Sequence, residues 1–209
     1  MIHDKDLGQY DTEYENCSCF WGINPGKFVV LLTEHLKSGR ILDLGAGEGK
    51  NAIYLAEKGF EVVAVECSES ALRNFYARLP NCSETVRDRL IIEKCDVAKY
   101  LPKGLYDCVI AYGLLHCLSS QEAARKVIEM MKYSTKSQGY NIVVTFTSEL
   151  PVPEIQSYLK ATLLDLQTIE SWYRDWKIVS SEDDVITESH PTSRIIHTHS
   201  LCRVLARKP

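Results

Sequence analysis

The chain lacks the features that would take it to a membrane or to nucleic acid. Its longest apolar run near the N-terminus, Phe28 to Leu32, falls far short of the roughly 20 residues a bilayer span needs. The opening residues Met1-Ile-His-Asp-Lys-Asp6 contain no apolar heart of an export signal. There is no basic stripe, and the net charge is -4, which argues against nucleic acid as a partner. Cys-x-x-Cys pairs are missing too. Cys17-x-Cys19 has the wrong spacing and no second pair, so no zinc site is expected there. Eight cysteines without a sign of export read as reduced thiols, with Cys95 and Cys108 as small hydrophobes inside strands, and the expected location is cytoplasmic. No repeat, low-complexity tract or second-domain boundary interrupts the 209 residues, of which 45% are hydrophobic. That is enough for one sizeable domain, and the oligomeric state stays open.

The stretch that organises what is present is Arg40-Ile-Leu-Asp-Leu-Gly-Ala-Gly-Glu-Gly-Lys-Asn51. A short apolar strand ends in Gly45, Gly47 and Gly49, and a helix from Asn51 to Lys58 follows, closed by Gly59. Glycines between a buried strand and a helix N-terminus let a ligand approach bare backbone. A dinucleotide site wants Gly-x-Gly-x-x-Gly for a pyrophosphate. Here the third glycine comes one residue early and Asp43 precedes the first, a carboxylate that repels pyrophosphate but holds an ammonium group. The pattern resembles motif I of the class I S-adenosylmethionine (SAM) methyltransferases, Asp-x-Gly-x-Gly-x-Gly.

Further strands follow at Phe60–Glu66, Arg89–Lys94, Leu105–Tyr112 and Tyr140–Phe146, with helical patterns at Ser68–Leu79 and Gln121–Lys132 and a polar loop over 80–88. Repeated β-α order implies a parallel sheet covered by helices on both faces. Pro25 starts a helix running to about Lys37. Beyond Pro151 and Pro153 come helical pieces at 154–164 and 168–175. Late strands at Lys177–Ser181 and Ile195–Ala206 make a closing antiparallel hairpin, foreign to a dinucleotide fold. The expected architecture is therefore α/β, Rossmann-like, with a seven-stranded mostly parallel sheet and a C-terminal antiparallel strand. Residues 1–38 are read as lid and helices, 39–147 as the cofactor-binding core and 148–209 as substrate-side helices and hairpin.

Glu66 stands at the end of the second strand, 21 residues past Gly45, where a nucleoside site places an acid for both ribose hydroxyls. As a strand-end acid at the sheet rim it is expected to matter for affinity and not for stability. Tyr10, Tyr14, Phe20 and Trp21 read either as an edge-packed helix or as a lid of rings over a bound sulfonium. His116, after the fourth strand, is read either as a substrate contact or as a loop or cap histidine.

Gly-Glu-Gly-Lys-Asn-Ala-Ile-Tyr-Leu-Ala, then Lys-Gly-Phe-Glu-Val and Glu66-Cys-Ser-Glu-Ser-Ala-Leu, is similar to the tellurite-resistance methyltransferase family, and the resemblance covers nearly the whole chain. Ala46 replaces a frequent cysteine, Lys50 an arginine and Glu66 an aspartate. The resemblance implies SAM as cofactor and a small-molecule methyl acceptor, a chalcogen oxyanion or a thiol or other heteroatom nucleophile. It implies cofactor contacts from Asp43, Gly45, Ala46, Gly47, Gly49, Asn51, Glu66 and Cys67. Asp96, Val97 and Tyr112 complete that set, with Asp96 at the adenine amino group. In the tail, a strand and an acidic loop lead to His190 and Arg194, which the resemblance places near the acceptor as catalytic residues. His197 and His199 share one strand face and are read as pocket residues, as structural histidines or, with His190, as metal ligands; no metal is expected. An NAD-linked oxidoreductase and a non-catalytic SAM-binding module are the alternatives.

Overall fold

A computed structural model describes residues 4–153, 162–192 and 194–209. In chain order its elements are α1 (Asp4–Asn16), α2 (Lys27–His35), β1 (Arg40–Leu44), α3 (Lys50–Glu57), β2 (Glu61–Glu66), α4 (Glu69–Arg78), α5 (Glu84–Asp88), β3 (Leu90–Lys94), β4 (Tyr106–Tyr112), α6 (Gln121–Tyr133), β5 (Thr135–Phe146), α7 (Leu166–Trp172), β6 (Lys177–Glu188) and β7 (His197–Arg207). One seven-stranded sheet has the order β3-β2-β1-β4-β5-β7-β6. β1 to β5 are parallel, and β7 runs antiparallel to both β5 and β6. The strand order reverses between β1 and β4, the crevice where open α/β sheets bind ligands.

Alternation along buried strands feeds two apolar layers. Leu42, Leu44, Val63 and Val109 pack with Val127, Ile128 and Met131 of α6. Ile41, Val62, Ala64 and Ile110 face the other way, toward Phe28 and Leu32 of α2, Leu55 of α3 and Phe75 of α4. Asp43 shares its face with Ile41 and is therefore buried beneath the glycine turn.

Several boundaries differ from the sequence reading. The polar loop contains α5, because Ser83 accepts the Val86 N–H and caps a short helix. Gly26, after Pro25, occupies the N-cap of α2, which ends at His35. α7 starts earlier than expected, since Asp165 caps it by accepting the Thr168 N–H at 2.6 Å. β5 begins at Thr135, which pairs with Tyr106 across a register shift. Cys108 is buried within β4, whereas Cys95 is half-buried just past β3, and all eight cysteines are free thiols. The helix expected over 154–164 lies mostly outside the described residues.

The largest correction concerns the acidic loop. It is strand: β6 continues to Glu188 and pairs with β7 throughout. Glu182, Asp184, Ile186 and Glu188 share one face with His197, His199, Leu201 and Arg203. The acids tolerate this because Arg203 donates to Glu182 at 2.7 Å and to Asp184 at 2.6 Å, while Lys27 also pairs with Glu182 at 2.6 Å.

Candidate active site

A cavity of about 280 Å³ opens at the carboxyl ends of β1, β2 and β4, near the lower end of the ~300–1,000 Å³ typical of small-molecule sites. Its floor is the turn after β1. Gly45, Ala46 and Gly47 line it, and the Gly47 N–H donates to Glu66 Oε2 at 2.8 Å. Glu66 Oε1 accepts from the N–H groups of Cys67 at 2.7 Å and Ser68 at 2.8 Å. Glu66 therefore knits the ends of two strands together. Gly49 stays out of the lining; a Cβ there would meet the Phe75 ring at 2.3 Å, so its glycine serves helix–helix packing.

Asp43 also lies outside the lining. It is 1% exposed, and Oδ2 has no hydrogen-bond partner. Burial, reinforced by the Glu66 charge and partly offset by Lys50, pushes its carboxyl up to about 7. Lys50 lines the cavity and donates to the Trp21 carbonyl at 3.0 Å; burial lowers its pKa. Asn51 accepts the Gly26 N–H at 2.9 Å and so ties the start of α2 to the glycine turn.

The aromatic segment closes one side. Tyr10, Tyr14, Trp21 and Gly22 line the cavity, and Trp21 Nε1 donates to Tyr14 Oη at 3.1 Å. Three polar clasps that no sequence pattern announced hold the segment down. Asp11 accepts from Ser68 Oγ at 2.6 Å, Glu48 accepts the Cys19 N–H at 2.7 Å, and Asn74 donates to the Tyr14 carbonyl at 2.8 Å. Cys67, Val97 and Tyr112 line the cavity as well. Asp96 does not line it; its carboxylate accepts the Ala98 N–H at 2.9 Å and caps a single 3-10 turn.

The far end is built by β4, β5 and the β6–β7 pair, through His116, Phe146, Ile186, Glu188, Leu201 and Arg203. His116 Nδ1 accepts the Phe146 N–H at 3.3 Å. Burial, with His199 nearby, depresses its pKa to about 3, so the ring is neutral. Phe146 is sandwiched between His116 and His199, each ring centroid 4.3 Å away. Just behind Glu188 stand His190, His197 and His199, all buried, whereas an exposed strand was one of the settings expected for the last two. His190 stacks on Phe20 at 4.3 Å, and burial lowers its pKa and that of His199 to about 4.

Arg194 is not brought to this place. It is exposed on the turn between β6 and β7, with φ 54°, and it does not line the cavity. The guanidinium at the cavity belongs to Arg203, and the acid there is Glu188. Neither is marked by a motif; only the period-2 alternation of a long β6–β7 hairpin points to them. Arg194→Ala is expected to leave both cofactor affinity and turnover within about twofold of wild type, as for surface substitutions generally. A tenfold drop in kcat/KM would put that side chain into the site.

The strand order, the single antiparallel β7 and the glycine turn at the switch point define a class I methyltransferase fold. A family model described as "Tellurite resistance protein TehB" matches residues 26–195, and the chain belongs to that family. It is 25% identical over 155 residues to a probable S-adenosyl-L-methionine-dependent methyltransferase TehB of Haemophilus influenzae, covering 73% of this chain and 51% of the relative. The chain thus spans about half the length of the curated relatives it matches. Among solved structures it resembles TehB from Haemophilus influenzae with TM-score 0.72 and 20% identity, covering 88% of this chain and 62% of that one. The N-methyltransferase NodS of Bradyrhizobium japonicum, in complex with S-adenosyl-L-homocysteine, gives TM-score 0.75 at 13% identity, covering 99% of this chain and all of that one. A Burkholderia thailandensis didemethyltoxoflavin N1-methyltransferase gives 0.73 at 19%, covering 100% and 90%. At these identities the structural likeness speaks to the fold. Among the described residues, no helix is long and apolar enough to cross a membrane.

Proposed function

We propose that the chain transfers a methyl group from SAM to a small molecule that presents a soft heteroatom, a thiol or another chalcogen. The observation that carries this reading is the Glu66 carboxylate on the cavity floor, hydrogen-bonded to the Gly47 N–H. An acid at the end of β2 suits the ribose hydroxyls, bare backbone at Gly47 suits the amino-acid moiety, and the acids Glu48 and Glu66 suit a sulfonium cation. The aromatic side formed by Tyr10, Tyr14 and Trp21 supports the same cation by ring–cation attraction. Family membership favours it further.

SAM supplies a methyl carbon already activated by its positive sulfur, so the chain's task is alignment and exclusion of water. His116, neutral and weakly basic, is a poor proton acceptor for an alcohol or amine, and a thiol needs less help. The cavity guanidinium is already matched by Glu182 and Asp184, so it offers little free charge to an oxyanion. Calorimetric titration with S-adenosylhomocysteine and with NAD separately tests the cofactor. Binding of NAD alone would turn the reading to an oxidoreductase. Cofactor binding without turnover on a panel of thiols, selenite and tellurite would leave a binding module.

Asp43 adds a pH signature. Its pKa is raised in the folded chain, so its contribution to apo stability is fully present below the ordinary carboxyl value and is lost as pH rises toward 7. A ligand ammonium above the glycine turn would favour the ionised form through the turn, without touching it. Adenosylhomocysteine affinity should therefore fall below pH 7, by at most about tenfold per pH unit, while apo stability rises. Asp43→Asn should flatten both profiles; a pH-independent wild-type affinity would remove Asp43 from the ammonium site.

A further inference from the structure

The side chains behind Glu188 form a cluster that cofactor binding leaves unused. Donor atoms of Glu188, His197 and His199 all lie within 4.8 Å of one another. Glu188 Oε1 is 3.9 Å from His197 Nε2 and 3.8 Å from His199 Nε2. His190 Nε2 approaches the same oxygen at 3.7 Å. These separations are too long for hydrogen bonds, which end near 3.2 Å. They approach the ~3.3–3.4 Å between two donors that share one tetrahedral ion at about 2.0–2.1 Å.

Three of these atoms have no partner: Glu188 Oε1, His197 Nε2 and His199 Nε2 are buried and unsatisfied. Burial without a partner is unfavourable for each, by about 1–3 kcal/mol for a typical polar group. The orientation of His197 sharpens the point. Its Nδ1 lies 2.9 Å from the Ile195 carbonyl, which can only accept, so Nδ1 carries a proton and Nε2 is the nitrogen turned toward Glu188. Three unsatisfied donor atoms converging on one point form an arrangement that a single shared cation satisfies. A backbone carbonyl that holds the far nitrogen of a histidine is also how metal-ligating imidazoles are oriented. His199 is clamped in turn by its stack on Phe146, with the rings within 10° of parallel.

We infer that Glu188, His197 and His199 bind a divalent first-row cation, with zinc as the fitting case, at the acceptor end of the cavity. Two imidazoles and one carboxylate are a ligand set that leaves a fourth position for an exogenous ligand. Glu188 lines the cavity, so the cluster lies directly behind its wall. This departs from the expectation that the chain uses no metal. It also answers a need of the site, because Arg203 is already neutralised and an anionic sulfur requires another cation.

The role in catalysis rests on the methyl-transfer reading. A thiol acceptor binds the ion through sulfur and loses its proton to water. The metal-bound thiolate then attacks the sulfonium methyl carbon. The methyl–sulfur bond of SAM breaks, its electron pair returns to that sulfur as neutral S-adenosylhomocysteine, and the thioether product leaves the ion as a weak ligand.

The test uses the full chain stripped of metal, titrated with zinc and, separately, with S-adenosylhomocysteine. One zinc per chain should bind with a dissociation constant below about 1 µM, as catalytic His/carboxylate sites permit. His197→Gln and His199→Gln should each weaken zinc by at least about a hundredfold, with S-adenosylhomocysteine affinity kept within about threefold as proof of folding. His190→Ala, outside the compact set, should change zinc affinity by less than about tenfold. Should the buried variants not fold, cobalt(II) in the wild-type chain decides. Intense d–d bands of a four-coordinate ion, gaining a sulfur-to-cobalt charge-transfer band when an alkyl thiol is added, support the site. Octahedral cobalt spectra, zinc no tighter than about 10 µM, or zinc binding indifferent to both histidine variants would overturn it. Zinc bound without S-adenosylhomocysteine would leave this site standing and sink methyl transfer; the reverse result would do the opposite.

Discussion

Gly47→Val is expected to abolish S-adenosylhomocysteine binding, with at least a hundredfold loss, while the chain still folds. Gly47 has φ 55°, a left-handed conformation that a β-branched residue adopts only under strain, about 1–3 kcal/mol. A Cβ there would stand 3.2 Å from Tyr14 Oη, and the branches of valine would extend into the cavity whose floor this residue forms. Shifting the backbone to relieve either contact breaks the Gly47 N–H bond to Glu66. The neighbouring glycines differ in kind: Gly49→Val would drive a side chain into Phe75 and damage the core instead. Calorimetry paired with thermal unfolding checks the expectation. Affinity within about fivefold of wild type in a folded variant would mean that the cofactor does not meet this turn.

Glu66→Gln should reduce both affinity and stability, a pairing the sequence alone did not lead us to expect. A ribose hydrogen bond to the one remaining lone-pair site, on Oε2, contributes about 1.5–3 kcal/mol, so affinity should fall roughly ten- to a hundredfold. As a rim acid, Glu66 would leave the apo protein untouched. The structure overturns that second half, because the carboxylate is 8% exposed and accepts three backbone N–H bonds from Gly47, Cys67 and Ser68. A glutamine must turn its NH₂ toward at least one of those donors. The apo chain should then lose about 1–3 kcal/mol, the penalty of a buried donor left without an acceptor. Denaturant unfolding of the apo variant measures this directly. Unchanged stability would mean that the turn rearranges around the amide, and unchanged affinity would make Glu66 a structural acid only.

The local features of the fold were readable because each leaves a short-range mark. Strand alternation, glycine spacing after β1 and an acid 21 residues on are fixed by backbone geometry within a few residues, and they suffice to place the floor of the cavity. The parallel sheet follows from the β-α order, since parallel strands require crossovers. The acceptor end was not readable in the same way. An acidic segment such as Glu182-Asp-Asp184 looks like loop until a partner strand supplies Arg203, and that partner arrives only through the β6–β7 register. The same register turns Glu188, His197 and His199 inward together and leaves Arg194 outside on the turn. Burial then decides their chemistry. Sequence by itself determined the strand-turn-helix floor, the alternation and the family, all properties of neighbouring residues along the chain. Only the tertiary structure decided which charges are matched, which histidines are neutral and which lone pairs converge, because desolvation and pairing depend on what the sheet brings across from distant segments.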